Sequence, residues 1–167
     1  GEKCMFDDLV EDNKKLLYEE IKLIPLDLSG LGARRREKLY DSIEEGADDI
    51  IEQIKLTHTE GDEVYILGYC MGGVIAYGIY RKMQDDNYLN LKKVFLCAVG
   101  VNPRSKVKFD DIVTDLLEEH IERFVKIQNE KLKAEIMEYY QVICKHFGVI
   151  IDKYYRKGRF KLGEDIV

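Results

Sequence analysis

A glycine-rich stretch, Gly68-Tyr69-Cys70-Met71-Gly72-Gly73, joins two segments of opposite character and leaves few folds open to this chain. The residues before it, 64–67, form a short apolar run of the kind found in fully buried strands. The residues after it continue as a helix to about Met83. A direct turn from strand to helix is so sharp that the apex residue needs small neighbours two positions before and after it. The pattern therefore predicts a strand, an elbow with Cys70 at its apex, and a helix.

Cys70 is the candidate nucleophile. Gly68 and Gly72 provide the small neighbours, and Gly73 lets the helix pack close to the sheet. A sulfur atom at the amino terminus of a helix lies at the positive end of the macrodipole, which favours the reactive thiolate. The backbone N–H of Met71 would supply half of an oxyanion hole. The alternative is that Cys70 packs as a small apolar side chain, which is the role we expect for Cys4, Cys97 and Cys144.

The order of the predicted elements indicates an α/β fold with a mostly parallel sheet covered by helices on both faces. Helical spacing, with Ser42 as a candidate cap, predicts a helix over residues 43–54. The other predicted elements are an irregular helix over 5–18, a strand at 21–26 and a buried strand at 94–99.

The second half of the chain changes character. Two amphipathic helices, over residues 109–125 and 129–147, follow each other without a strand between them. We expect them to form a helical lid over the carboxyl edge of the sheet, with an apolar pocket beneath it. Apolar stripes of this kind also arise from ordinary core packing. The predicted division is a partial core over 1–104, a lid over 105–155, and a return to a core strand over 156–167, with strand-like residues at Ile166-Val167.

Composition excludes several classes of function. The net charge of −6 argues against general nucleic-acid binding, and no apolar run reaches the roughly 20 residues that span a bilayer. The four cysteines form no Cys-x-x-Cys pair and have no histidine at ligand spacing, so we expect no metal and no disulfide framework. The amino terminus does not resemble a signal peptide. A reducing cytoplasm is the expected location.

Three longer stretches, residues 26–35, 39–50 and 67–77, resemble the type II thioesterases of nonribosomal peptide and polyketide synthesis. That family typically has a proline-glycine-arginine loop, a helix with leucine-tyrosine and aspartate-aspartate pairs, and an elbow of glycine-histidine-serine-methionine-glycine-glycine. Residues 99–103 and 147–162 are similar to its strand-end turn and to the end of its lid, so the resemblance covers nearly the whole chain.

The chain departs from the family pattern at four positions. Cys70 stands in place of the serine nucleophile and Tyr69 in place of the histidine, while Ser29 and Leu31 replace the proline and arginine of the loop. The elbow string is also similar to that of dienelactone hydrolases and polyhydroxyalkanoate synthases, which use cysteine on this fold. The flanking spacing favours the thioesterases.

The resemblance implies an α/β-hydrolase fold and hydrolysis of acyl or peptidyl thioesters through Cys70. The substrate would be carried on the phosphopantetheine arm of a carrier protein, with no other cofactor bound. A cysteine keeps an acyl group activated, so an acyltransferase or cyclase on the same fold is an alternative. Another is an inactive module that binds a carrier protein or synthase. The basic run 153–161 is a candidate contact for an acidic carrier protein, although a solvated basic stretch is the commoner role.

The general base and acid are not assigned. The family has its aspartate after the strand that follows the lid and its histidine near the carboxyl terminus, and this chain stops where that strand should begin. His58, His120 and His146 are expected to be solvated or packing residues. Gly1 resembles the last glycine of the family's oxyanion loop, so the first strand and the second oxyanion donor would precede the chain. We therefore expect a fold incomplete at both ends and a chain that is inactive alone.

Overall fold

The computed structural model describes residues 6–15, 21–99, 129–158 and 163–167. The chain divides into two compact units, one formed by residues 1–99 and 161–167 and the other by residues 100–160. The predicted helix over 109–125 lies outside the described residues, so this part of the expected lid stays a prediction.

The first unit is built on a parallel sheet. The described elements of this unit are α1 (Asp7–Lys15), a 3₁₀ turn (Gly32–Arg34), α2 (Ile43–Lys55), β1 (Val64–Tyr69), α3 (Met71–Met83) and β2 (Leu91–Cys97). β1 and β2 pair in parallel, with Ile66 opposite Val94 and Tyr69 opposite Cys97. On the opposite edge of β2, Ile166 forms a parallel bridge with Val94 where the sequence predicts a strand to begin. The parallel sheet expected from the alternation of elements is therefore confirmed.

α2 begins at the predicted cap and packs on α3. The Ser42 hydroxyl accepts a hydrogen bond from the Glu45 amide at 3.1 Å, and the Glu45 carboxylate accepts one from the Asp41 amide at 2.6 Å. Each bond satisfies an amide at the start of the helix that has no acceptor within it. The side of α2 that carries Ile43 and Ala47 lies against Gly78 of α3. These apolar residues recur at helical spacing, which is why α2 has one buried face.

The prediction of a strand over residues 21–26 is wrong. The segment is described but has no strand assignment, because no other described segment forms a backbone ladder with it. A strand is stable only when its amides and carbonyls pair with a neighbour. The apolar composition of the segment was therefore not sufficient to predict a strand.

Several boundaries also differ from the prediction. β2 begins three residues earlier and ends two residues earlier than the predicted 94–99. Within the predicted 5–18, the described part of the first helix is α1.

In the second unit, α4 (Glu130–Arg156) extends well past Phe147, where the sequence predicted its end. Gly148 does not end the helix, because Ile150 continues the apolar spacing and is buried and no proline lies between Phe147 and Arg156.

β1 is not the fully buried strand that its composition predicted. The side chains of Tyr65, Leu67 and Tyr69 are 57%, 44% and 43% exposed. The exposed side chains alternate with the less exposed residues Val64, Ile66 and Gly68, so one face of β1 is open within the described part of the chain. Cys97 is also exposed at the carboxyl end of β2, rather than packed as predicted.

Candidate active site

Cys70 lies on the turn between the end of β1 and the start of α3. Its backbone has φ 52° and ψ −118°, a conformation that non-glycine residues rarely adopt. Two hydrogen bonds hold it there: the Cys70 amide donates to the Cys97 carbonyl at 2.8 Å, and the Gly73 amide donates to the Cys70 carbonyl at 3.0 Å. The cysteine is exposed. A strained, exposed residue at a strand-to-helix turn has the geometry of a nucleophile elbow.

The glycines beside Cys70 allow β1 and α3 to approach each other closely. A Cβ atom on Gly68 would lie 2.5 Å from the Gly73 Cα and 2.7 Å from the Gly72 carbonyl oxygen. A Cβ atom on Gly73 would collide with the Val99 side chain and lie 3.1 Å from the Gly68 oxygen. The space in which a side chain would sit is therefore filled by the backbone of α3 at Gly68 and by the Val99 side chain at Gly73.

The backbone N–H of Met71 is the candidate oxyanion donor. Met71 is the first residue of α3, and the first amides of a helix have no acceptor in the helix behind them. The Cys70 side chain forms no capping hydrogen bond with these amides. The amide of Gly73, by contrast, is already bonded to the Cys70 carbonyl. An acyl oxygen brought to Cys70 would thus meet the positive end of α3.

The described histidines do not identify a general base. His58 follows α2, before the amino end of β1, and its Nε2 lies 3.3 Å from the Asp62 carbonyl oxygen. Cys70 is at the other end of β1, about 20 Å away at the usual rise of a strand. His146 lies on α4 in the other unit, edge-on to Phe147 with the ring centroids 5.9 Å apart. His120 and Cys4 lie outside the described residues, and Cys144 is half-buried.

A polar network that was not predicted from the sequence fixes the loop before α2. Arg34 donates to both oxygens of Asp49, from Nη1 at 2.6 Å and from Nη2 at 2.9 Å. Tyr40 donates to the same carboxylate at 2.5 Å, and Gln53 does so at 2.9 Å. A bidentate pair with two further donors ties the loop to the middle of α2. Arg34 and Asp49 are 15 residues apart, so no short motif indicates that they pair.

This network shifts the pKa values of its members. Burial alone would raise the pKa of Asp49, but the hydrogen bonds from Arg34 and Tyr40 outweigh it and hold that pKa below its ordinary value. The hydrogen bond to Asp49 raises the pKa of Arg34. Burial, followed by the bond to Asp49, raises the pKa of Tyr40. The carboxylate is therefore charged and the phenol neutral over the whole physiological range.

Ser29, one of the departures from the family pattern, is part of the same loop. Its hydroxyl donates to the Lys38 carbonyl at 2.6 Å, and its amide donates to the Tyr40 hydroxyl at 2.9 Å. Ser29 is buried, and these bonds satisfy its polar groups. A proline at this position would have no amide to offer Tyr40. The departure is thus accommodated by a hydrogen bond that the proline cannot form.

Comparisons with known proteins decide the family. The family model for the thioesterase domain matches residues 6–163, which is nearly the whole chain. The chain belongs to the thioesterase domain family. A comparison with curated protein sequences finds no match.

Solved structures of thioesterases share the fold of this thioesterase-family chain. ClbQ from the colibactin NRPS/PKS pathway matches with a TM-score of 0.66 at 20% identity, over 98% of this chain and 66% of its own. The RedJ thioesterase of the prodiginine pathway in Streptomyces coelicolor matches with a TM-score of 0.67 at 16% identity, over 98% of this chain and 58% of its own. The type II thioesterase BorB of the borrelidin cluster matches with a TM-score of 0.62 at 15% identity, over 98% of this chain and 63% of its own. The chain therefore spans about two thirds of these proteins or less.

Two further observations concern the described part of the thioesterase-family chain alone. No helix there is both long enough and apolar enough to cross a bilayer. No three metal-ligating side chains among those residues are grouped closely enough to hold an ion.

Proposed function

We propose that this chain carries the nucleophile of a thioesterase that hydrolyses acyl or peptidyl thioesters of carrier proteins. The observation that supports this most strongly is Cys70, exposed at φ 52° between β1 and α3. Family membership supports the thioester as the bond that is cleaved. The pathways named for ClbQ, RedJ and BorB support a carrier-bound substrate.

In the proposed reaction, the Cys70 thiolate attacks the carbonyl carbon of the thioester. The negative charge that develops on the carbonyl oxygen is stabilised by the Met71 amide. The tetrahedral intermediate collapses by breaking its bond to the pantetheine sulfur, which leaves as a thiol after taking up one proton. Water then attacks the acyl-cysteine, releasing a carboxylic acid and restoring Cys70.

Attack by the Cys70 thiolate needs no further base, but activation of water in the second step needs a general base, which we assign to polypeptide outside these 167 residues. The position of His58 at the other end of β1 supports this, as does the greater length of the solved relatives. We therefore propose that the chain alone becomes acylated on Cys70 and releases the acyl group slowly.

The carboxyl-terminal part of α4 is the proposed contact for an acidic carrier protein. Lys153 and Arg156 lie in its last turn and Lys157 caps it. Arg156 also pairs with Asp152 at 2.7 Å, which reduces the local excess of positive charge. Residues 159–161, at the end of the basic run, lie outside the described part of the chain.

Sulfur at position 70 favours one second candidate, an acyltransferase or cyclase. Exchange of one thioester for another is nearly balanced in free energy, so an acyl-cysteine stays activated for attack by an amine or a hydroxyl. The same first step would then end in transfer to that acceptor instead of water.

Alkylation by iodoacetamide tests the proposal against an inactive binding module on the same fold. Cys97 is the matched control, because it is also exposed and lies at the carboxyl end of the neighbouring strand but does not precede a helix. We expect Cys70 to be alkylated at least about tenfold faster than Cys97, as measured by peptide mass spectrometry over time. Equal rates at the two cysteines would favour the inactive module.

A further inference from the structure

Two exposed cysteines lie at the carboxyl ends of the neighbouring strands β1 and β2. Cys97 is the last residue of β2 and pairs in register with Tyr69, the residue before Cys70. The Cys70 amide donates to the Cys97 carbonyl at 2.8 Å, so the two cysteines are also joined through their backbones. Both are exposed, and neither is in a disulfide. The candidate nucleophile therefore has a second reduced cysteine beside it on the adjoining strand.

The backbone spacing of the two cysteines suits a disulfide. Neighbouring strands lie about 4.8 Å apart and rise about 3.3 Å per residue, which places the Cα atoms of residues 70 and 97 about 6 Å apart. Disulfides usually join residues whose Cα atoms are about 4.4 to 6.8 Å apart. The separation that the register fixes therefore lies within the range that a disulfide bridges.

The left-handed conformation of Cys70 removes the usual obstacle to such a bond. In-register partners of parallel strands share a face and successive residues alternate, so a regular strand would place residue 70 on the face opposite to Cys97. At φ 52°, Cys70 has left this alternation. Because Cys97 is the terminal residue of β2, its side chain can shift until the Cβ atoms reach the ~3.8 Å of a disulfide, while the ladder before it stays intact.

We propose that Cys97 is the resolving cysteine of Cys70, and that oxidation by a peroxide joins the two in a disulfide. The Cys70 thiolate attacks one peroxide oxygen and becomes a sulfenic acid, while the O–O bond breaks and the other oxygen of hydrogen peroxide leaves as water with the proton that Cys70 lost. The Cys97 thiolate then attacks the Cys70 sulfur and displaces hydroxide, which takes up the Cys97 proton and leaves as water. The two thiols are oxidised by two electrons in total, and the peroxide is reduced to two water molecules.

The disulfide would regulate the proposed thioesterase reaction. While Cys70 is bonded to Cys97, it has no thiolate with which to attack a thioester. The bond also protects Cys70 from further oxidation to a sulfinic acid, which thiols do not reverse. Reduction by a thiol restores the nucleophile. This regulation rests on the proposed function, because loss of acylation follows only if Cys70 is the nucleophile, whereas formation of the disulfide does not depend on it.

Treatment of the reduced 167-residue chain with hydrogen peroxide, followed by peptide mass spectrometry without reduction, tests the proposal. We expect a chain about 2 Da lighter, in which the Cys70 and Cys97 peptides are crosslinked. In Cys97→Ser we expect Cys70 to accumulate sulfinic acid at least about tenfold faster than in the wild type, because the resolving thiol is absent. Cys144→Ser is the matched control and is expected to form the crosslink as the wild type does, since Cys144 is half-buried in the second unit.

Equal rates of sulfinic acid formation at Cys70 in the wild type and in Cys97→Ser would overturn the proposal. A disulfide from Cys70 to Cys4, to Cys144 or to a second chain would do so as well.

Acylation by octanoyl-pantetheine thioester, measured on the same samples, separates this proposal from the proposed function. We expect acylation to be lost in the crosslinked chain and restored by dithiothreitol. Acylation that persists in the crosslinked chain would contradict regulation by the disulfide. If the reduced chain is not acylated, the proposed function fails, while the crosslink still identifies Cys97 as the resolving cysteine.

Discussion

The backbone of Cys70 is held in a conformation that costs about 1–3 kcal/mol for a residue with a side chain. Its amide is anchored to the end of β2 and its carbonyl to the first turn of α3. These bonds fix both sides of the residue, so the strain is distributed over a strand, a helix and the neighbouring strand. The consequence is an exposed cysteine at the amino terminus of α3.

Replacing Gly68 by alanine is expected to destabilise the elbow. The new Cβ would meet the Gly73 Cα at 2.5 Å, the Gly72 oxygen at 2.7 Å and the Ala76 Cβ at 2.8 Å, so β1 and α3 must separate. We expect Gly68→Ala to lower the free energy of unfolding by about 2 kcal/mol, and the thermal midpoint by about 6 °C.

Gly158→Ala is the matched control for thermal unfolding, because a Cβ there meets nothing within 4 Å. We expect its midpoint to stay within about 2 °C of the wild type. If the two variants had the same thermal midpoint, the close approach of β1 and α3 would not restrict residue 68 to glycine.

Among the elements, the loop before α2 depends on the carboxylate of Asp49. The side chains of Arg34 and Asp49 are 23% and 27% exposed, so their pair is shielded more than a surface ion pair. An asparagine at this position keeps one acceptor oxygen but replaces the other by an NH2 donor, so Arg34 and Tyr40 lose part of their shared acceptor and Arg34 keeps only Glu37 as a charged partner. Leaving one partner of a shielded ion pair unsatisfied lowers the free energy of unfolding by more than the intact pair contributes to it.

Stability is expected to depend on pH through Asp49. The folded-state pKa of Asp49 is below its ordinary value of 3.8, so its contribution is fully present above that value. The contribution is lost as the pH falls through the folded pKa. We expect Asp49→Asn to lower the free energy of unfolding by about 2 kcal/mol at pH 7 and by progressively less below pH 4, as measured by urea denaturation.

Glu52→Gln is the control for this measurement, because Glu52 pairs with Lys55 on the surface and is 69% exposed. Its effect at pH 7 is expected to stay within about 0.5 kcal/mol. A cost of Asp49→Asn that did not change between pH 7 and pH 3 would contradict the assignment of the network to the charged carboxylate.

Elements with local signals could be predicted from the sequence, whereas those that depend on distant partners could not. Ser42 and Glu45 indicate the start of α2, and Gly68 with Gly72 indicates the elbow, because each acts within a few residues. Segment 21–26 has the composition of a strand, but strand formation depends on a neighbour that composition does not reveal.

The candidate site shows the same division between local and distant information. Cys70 and Met71 were predicted from one short motif, and their catalytic roles stay predictions. The pairing of Arg34 with Asp49 joins a loop to a helix across 15 residues of sequence and was found only from the structure. The exposure of Cys97 was also missed, because it depends on β2 ending at that residue.

At the scale of the whole molecule, the first unit contains the strand-to-helix turn at Cys70 and the second contains α4. The sheet of the first unit has β2 in an interior position and β1 at an edge that faces an apolar groove. If the proposed general base lies outside these 167 residues, we expect turnover only when that polypeptide is present.

The most direct measurement is the intact mass of the 167-residue chain after incubation with octanoyl-pantetheine thioester and an acid quench. We predict one octanoyl group per chain, located on the Cys70 peptide, absent in Cys70→Ala and retained in Cys97→Ala. An unmodified Cys70, or acylation that persists in Cys70→Ala, would contradict the assignment of this residue as the nucleophile.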